Sequence, residues 1–137
     1  MANSKSIGIA YLDQDIIGAQ YVFSDEQIGY GVAAQGAVTQ ATDKSTAVTL
    51  NKSAGRITMN NASLTTATNA TFTLNNSLIS PNDCVILTIS GGQATPGSYN
   101  VFAKSLTNGA VSITLRNISG GTLSEAIIIN YAIIHGQ

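Results

Sequence analysis

The chain has 137 residues, enough for one domain, and Ser, Thr and Asn supply 41 of them whereas charged residues make up only 9%. Its net charge is −1 and its few basic residues form no cluster, which argues against a nucleic-acid partner because such a footprint needs Lys and Arg concentrated on one face. No window approaches the ~20 apolar residues of a membrane helix and no secretory signal is present, so we expect a protein made in a cytoplasm without a membrane partner.

Residues 1–35 differ from the rest of the chain. They hold three of the five tyrosines and four of the seven acidic residues, with two short extended stretches at 6–11 and 17–23. Two interpretations stay open. The segment is either an arm that packs on something else or a set of outer strands belonging to the same domain. An arm rich in aromatic residues suits an interface.

From residue 36 to residue 137 apolar and polar residues alternate in short runs, which is typical of half-buried strands. Turn signals separate the runs at 53–55, 80–83, 90–92, 108–109 and 119–121, and this spacing indicates a sandwich or a barrel. No segment shows a sustained helical period. The sequence therefore predicts an all-β domain, a jelly-roll-like sandwich of about eight short antiparallel strands, preceded by an extended N-terminal arm.

The last predicted strand, residues 125–134, breaks the alternation because it is apolar on both faces. A strand of that kind is buried on both faces. In a thin sandwich one face meets the opposite sheet, so we expect the other to meet a second chain or the folded-back arm. One face carries Ile127, Ile129, Tyr131 and Ile133, and the other carries Ala126, Ile128, Ala132 and Ile134.

Residues suited to catalysis are sparse. His135 is the only histidine and lies two residues from the C-terminus, where frayed ends hold geometry poorly. Cys84 is the only cysteine and we expect it to be a small buried thiol in a strand. Nothing in the sequence brings the acids Asp83 and Glu125 together. We predict no catalytic, cofactor-binding or metal-binding residues, and therefore no enzyme.

Four stretches resemble a β domain that recurs in structural proteins of tailed bacteriophages. The most characteristic pieces are TQATDKST followed by VTLNK, and GGTLSEA before the final apolar strand. The resemblance covers about the last hundred residues. Its stretches are AVTQATDKSTAVTLNKSAGRITMNNASL (37–64), TFTLNNSLISPNDCVIL (71–87), SGGQATPGSYNVFA (90–103) and SGGTLSEAIIINYAIIHG (119–136).

This resemblance implies a capsid cement (decoration) protein or part of a tail fibre, typically as a jelly-roll-like homotrimer. We expect a homotrimer that binds the major capsid protein on the virion surface after synthesis in the host cytoplasm. The alternative is a tail-fibre or receptor-binding domain that recognises host surface glycans. The candidate trimer interface or core is Ile127, Ile128, Ile129, Tyr131, Ile133 and Ile134, and the candidate capsid-binding arm residues are Tyr11, Tyr21, Phe23 and Tyr30.

Overall fold

Eight strands and one 3₁₀ turn form the regular structure of the computed structural model, which describes residues 18–136. The turn, Val32–Ala34, leads directly into the first strand. The strands are β1 Gln35–Thr39, β2 Val48–Thr49, β3 Ala54–Thr58, β4 Asn69–Asn75, β5 Cys84–Gly91, β6 Tyr99–Thr107, β7 Ala110–Asn117 and β8 Ile128–Ile134.

The strands form two four-stranded sheets packed face to face, in the orders β1-β3-β8-β5 and β2-β4-β7-β6. The predicted all-β sandwich of about eight strands is confirmed. Its strands are not all antiparallel, however, because β1 pairs with β3 and β2 pairs with β4 in parallel. The chain alternates between the sheets from β1 to β4, and two crossings in succession restore the original strand direction.

The core lies between the sheets and is built from every second residue of each strand. In β8 the burial alternates, with Ile129, Tyr131 and Ile133 inward, and β7 contributes Val111, Ile113 and Leu115 from the opposite sheet. Ile127, just before β8, is also fully buried. This interdigitation of two apolar faces is the main source of stability in a sandwich.

Tyr131 contacts β3 through its ring and the segment between β2 and β3 through its hydroxyl. Its ring lies so close to β3 that a Cβ at position 55 would be 2.7 Å from the Tyr131 Cε1 atom, so a glycine is required there. The hydroxyl donates to the carbonyls of Lys52 at 3.0 Å and Leu50 at 3.2 Å. Burial raises the pKa of Tyr131 to about 12, so the hydroxyl keeps its proton.

Two buried asparagines satisfy the backbone of loops that could not otherwise be buried. The Asn117 amide donates to the carbonyls of Leu64 and Gly121, both at 2.8 Å. The Asn76 amide donates to the Lys52 carbonyl at 2.7 Å. Asn117 therefore holds the turn after β7, and Asn76 holds the segment between β2 and β3 against the end of β4.

Candidate functional site

The most exposed apolar segment of the described chain precedes the sandwich. Tyr21, Val22 and Phe23 are 70%, 63% and 87% exposed, and Ile28 is 86% exposed. The rings of Tyr21 and Phe23 stack with their centroids 5.8 Å apart. Residues 18–31 contain no strand and pair with neither sheet. Tyr11, the remaining candidate arm residue, lies outside the described residues.

The base of this segment is attached to the sandwich, unlike the part that precedes it. The Tyr30 hydroxyl donates to the carbonyl of Ile133, and the Tyr30 side chain is 38% exposed. The Gln35 amide donates to the Tyr30 carbonyl at 2.8 Å, and the Lys52 ammonium donates to the Ala33 carbonyl at 2.8 Å. Tyr30 is therefore a contact within the chain, whereas Tyr21 and Phe23 extend beyond the attachment points.

The outer surface of the β1-β3-β8-β5 sheet, which we call the Ile134 face, is unusually apolar at one end. Ile134 is 56% exposed and pairs with Cys84, while Ile86 is 45% exposed and pairs with Ala132. Cys84 is exposed, so the expectation of a buried thiol is wrong. Val85 points into the core and its neighbour in the strand must therefore point outward.

The six residues predicted for a trimer interface or core lie on two different faces of β8 and the residue before it. Ile127, Ile129 and Ile133 are 0% exposed and Tyr131 is 3% exposed, so these four lie in the core of a single chain. Ile128 is half-buried and Ile134 is exposed on the Ile134 face. Only these two are placed where a second chain could contact them.

A shallow depression lies on the Ile134 face where β1, β3 and β8 run side by side. Its volume is about 290 Å³. Small residues, Ala54 and Gly55, make the depression possible, and the exposed Arg56 lies in the same row of the sheet as Asn130. The full lining is Gln35, Gly36, Ala54, Gly55, Arg56, Asn130 and Tyr131.

The outer surface of the β2-β4-β7-β6 sheet, which we call the Phe102 face, is covered by short polar side chains. Thr71 and Thr114 are cross-strand partners whose hydroxyls lie 2.8 Å apart. Phe102 occupies the same row on β6 and is 40% exposed. The adjacent row consists of Asn69, Arg116 and Asn100.

Lys44 is buried at one end of the sandwich. It is 3% exposed, and its ammonium donates to the carbonyls of Asn60 and Glu125, both at 2.5 Å. Burial lowers the pKa of Lys44, and the nearby Glu125 carboxylate opposes part of that shift. The residue fixes loops and offers no charge to a partner.

Three buried oxygen atoms, one of them on Glu125, have no hydrogen-bond partner within the described chain: Gln93 Oε1, Tyr99 Oη and Glu125 Oε2. The other Glu125 oxygen accepts from the Ala94 amide at 2.6 Å. Burial, with a smaller contribution from the neighbouring Glu125 carboxylate, raises the pKa of Tyr99 well above its usual range. Because all three atoms are buried, the cluster is closed to a substrate arriving from solution.

Asp83 and His135 meet at the opposite end of β8, so His135 is not frayed. His135 Nδ1 lies 3.2 Å from Asp83 Oδ1, which also accepts from the Gly136 amide and the Ser80 hydroxyl, both at 3.0 Å. A backbone hydrogen bond from Ser80 is the largest cause that lowers the pKa of Asp83, to about 2.

This arrangement does not have the order of a catalytic triad. The serine hydroxyl donates to the carboxylate rather than to the imidazole, so no general base reaches it. Asp83 and Glu125 are separated by the seven residues of β8, roughly 20 Å at about 3.3 Å per residue, which is too far for paired glycosidase carboxylates.

Within residues 18–136, no group of three or more His, Cys, Asp or Glu side chains could hold a metal ion. The same part of the chain has no helix with the length and apolar character to cross a membrane. Comparisons of the chain with protein-family models, curated proteins and solved structures found no match in any of the three.

Proposed function

We propose that the chain is a structural protein of a tailed-bacteriophage virion, a homotrimeric cement (decoration) protein on the capsid surface. The observation that carries the proposal is the exposed aromatic segment beside a sandwich whose own core is complete without it. Aromatic residues are enriched at protein interfaces, and Tyr21 and Phe23 bury little of their surface in a single chain.

The arm provides the capsid contact in this proposal. It is attached at Tyr30 and Gln35, and residues 18–29, which precede these contacts in the described chain, are exposed. Tyr21 and Phe23, with Tyr11 further along the arm, would contact the major capsid protein. Backbone that pairs with neither sheet in the described part leaves this segment able to adopt the shape of its partner.

The Ile134 face provides the contact with other copies. Ile86 and Ile134 expose apolar surface that water solvates poorly, and few charges surround them to prevent association. A cyclic trimer needs one heterologous contact that closes after three copies. The resemblance to phage structural proteins supports the same assembly.

The test is co-sedimentation with empty capsids of the phage whose genome carries the gene. We expect the full chain to sediment with these capsids and a chain starting at Ser24, which lacks Tyr11, Tyr21 and Phe23, to stay in the supernatant. The matched control is Phe102→Ser, which removes an exposed aromatic residue from the sandwich and leaves the arm intact.

Equal sedimentation of the full and shortened chains would remove the arm from the capsid contact. Failure of the full chain to bind capsids at all would overturn the proposal. Circular dichroism on the shortened chain checks that its sandwich remains folded, which the complete core predicts.

A second candidate function, recognition of host surface glycans by a tail-fibre domain, has one observation in its favour. Phe102 is an exposed aromatic surface flanked by the amide of Asn100 and the guanidinium of Arg116. Sugars stack on such rings and hydrogen-bond to such groups. Binding of the full chain to host polysaccharide, lost in Phe102→Ser, would favour this function over the capsid role.

A further inference from the structure

Two exposed groups of opposite charge lie on different parts of the chain and neither forms an ion pair in the described residues. Asp25 and Glu26 belong to the arm segment, and Arg56 is exposed on the Ile134 face. Within residues 18–136 the ion pair present joins His135 and Asp83, at the other end of β8 from Glu125. The acidic pair and Arg56 are therefore both available to a partner.

The depression next to Arg56 has a matching shape and chemistry. Its small residues, Ala54 and Gly55, leave space for a side chain, while Arg56 and Asn130 provide a positive charge and an amide. An apolar side chain preceded by carboxylates would fill the space and meet the charge. The arm carries such a group in the sequence Asp25, Glu26, Gln27, Ile28.

We propose that residues 25–28 of a second copy dock in this depression, with Ile28 against Ala54 and the acidic pair against Arg56. The proposal rests on the homotrimer of the proposed function and specifies its contact. In a single chain Ile28 is 86% exposed, so the chain's own arm does not fill the depression. Donor segment and acceptor face are different surfaces, as a contact that closes a ring requires.

This contact would also organise the arm for its capsid role. Residues 25–28 lie between the stacked Tyr21 and Phe23 rings and the Tyr30 attachment point. Docking them on a neighbour would hold the arm at two places, with the aromatic pair just before the docked residues in the chain. The capsid contact would then be presented by three neighbouring arms at once, which raises avidity.

Charge reversal tests the proposal. Arg56→Glu alone, and Asp25→Lys with Glu26→Lys, should each place like charges together and raise the dissociation constant of the trimer roughly 100-fold. The variant that combines all three changes should recover most of this loss. Arg116→Glu is the matched control, because it reverses an exposed arginine in the corresponding place on the Phe102 face.

Molecular mass measured by light scattering across a dilution series separates the outcomes. A trimeric wild type with an unchanged Arg56→Glu variant would overturn this inference and leave the proposed trimer standing. A wild-type chain that stays single at every concentration would overturn both the trimer and this contact.

Disulfide trapping identifies which chain supplies the arm. In a Cys84→Ser background, Ile28→Cys with Ala54→Cys should form links between chains, visible as multiples of 14.1 kDa on a non-reducing gel. The control pairs Ile28→Cys with Thr73→Cys on the Phe102 face and should not link. Trapping within one chain, with no gain in mass, would overturn docking on a second copy.

Discussion

The outer faces of the two sheets expose different kinds of side chain to solvent. The Phe102 face is made largely of Thr, Ser and Asn, and the hydroxyls of Thr71 and Thr114 bond to each other across strands. The Ile134 face exposes Ile86 and Ile134 and leaves a depression beside Arg56. Short polar side chains that hydrogen-bond to each other and to water make a face stable without a partner. Apolar side chains exposed to water are unfavourable in free energy, and covering them with another surface removes this cost.

The edge strands β5 and β6, one from each sheet, also differ in whether they carry a charged residue. β6 carries Lys104 at an irregularity in its register, and both features discourage pairing with another chain. β5 has no charged residue and no proline from Cys84 to Ile89, where its pairing with β8 is regular. β5 has an irregularity of its own between Ile89 and Gly91, so the feature that distinguishes β6 is its charged residue.

The largest expected effect comes from placing a charge on the inner face of β8. Ile129→Asp should unfold the protein, because an unpaired carboxylate in the core costs several kcal/mol and domain stability is about 5–15 kcal/mol in total. Ile129 is 0% exposed. Circular dichroism and a urea titration check the outcome, and a soluble, folded Ile129→Asp chain would show that the inner face is not packed as described.

Ile134→Asp should leave the fold intact and remove assembly, since the side chain is 56% exposed in a single chain. We expect the mass from light scattering to fall from three chains to one. Phe102→Asp is the control on the other face, where the wild-type side chain is 40% exposed, and it should remain trimeric. Loss of assembly in both variants would end the distinction between the faces.

Hydroxyl groups provide a smaller test of the same contrast. Tyr131→Phe removes the donor to the Leu50 and Lys52 carbonyls inside the core, which should cost about 1–3 kcal/mol. Thr114→Val removes one partner of the hydroxyl pair on the Phe102 face and should cost about 0.2–1 kcal/mol. Urea unfolding at one fixed protein concentration compares the two.

The smallest effect is confined to acidic pH and concerns the end of β8 next to the apolar residues. The pKa of Asp83 is lowered from 3.8 to about 2, so its contribution to stability is complete above pH 3.8 and is lost as the pH falls towards 2. Asp83→Asn should therefore lose less stability than the wild type over that interval. Thermal unfolding at several pH values measures this, and parallel curves would exclude Asp83 as the cause.

Local patterns predicted much of the fold from the sequence. The two-residue period identified the inward residues of β8, and the apolar outer positions Ile128 and Ile134 marked a face that differs from an ordinary solvated one. The same period would have placed Cys84 outside, because Val85, Leu87 and Ile89 share the inner face. The general tendency of cysteine to be buried predicted the position of Cys84 less well than its neighbours did, because successive side chains in a strand point to opposite faces.

Long-range arrangement could not be predicted in the same way. Parallel pairing of β1 with β3 depends on which sheet each strand joins, and alternation within a strand does not contain that information. Burial of Lys44 depends on carbonyls of Asn60 and Glu125 that are distant in sequence. The depression beside Arg56 likewise arises from three strands, so it could not be found from spacing.

The position of β8 also determines when the protein can fold during synthesis. Residues 128–134 pair with β3 on one side and β5 on the other, so the β1-β3-β8-β5 sheet has a gap at its centre until they leave the ribosome. Until then β3 and β5 expose unpaired edges and the inner apolar residues of the other sheet lack their cover. Folding of the sandwich is therefore expected to wait until residues 128–134 have left the ribosome, and chains that stop before β8 should be prone to aggregation and degradation.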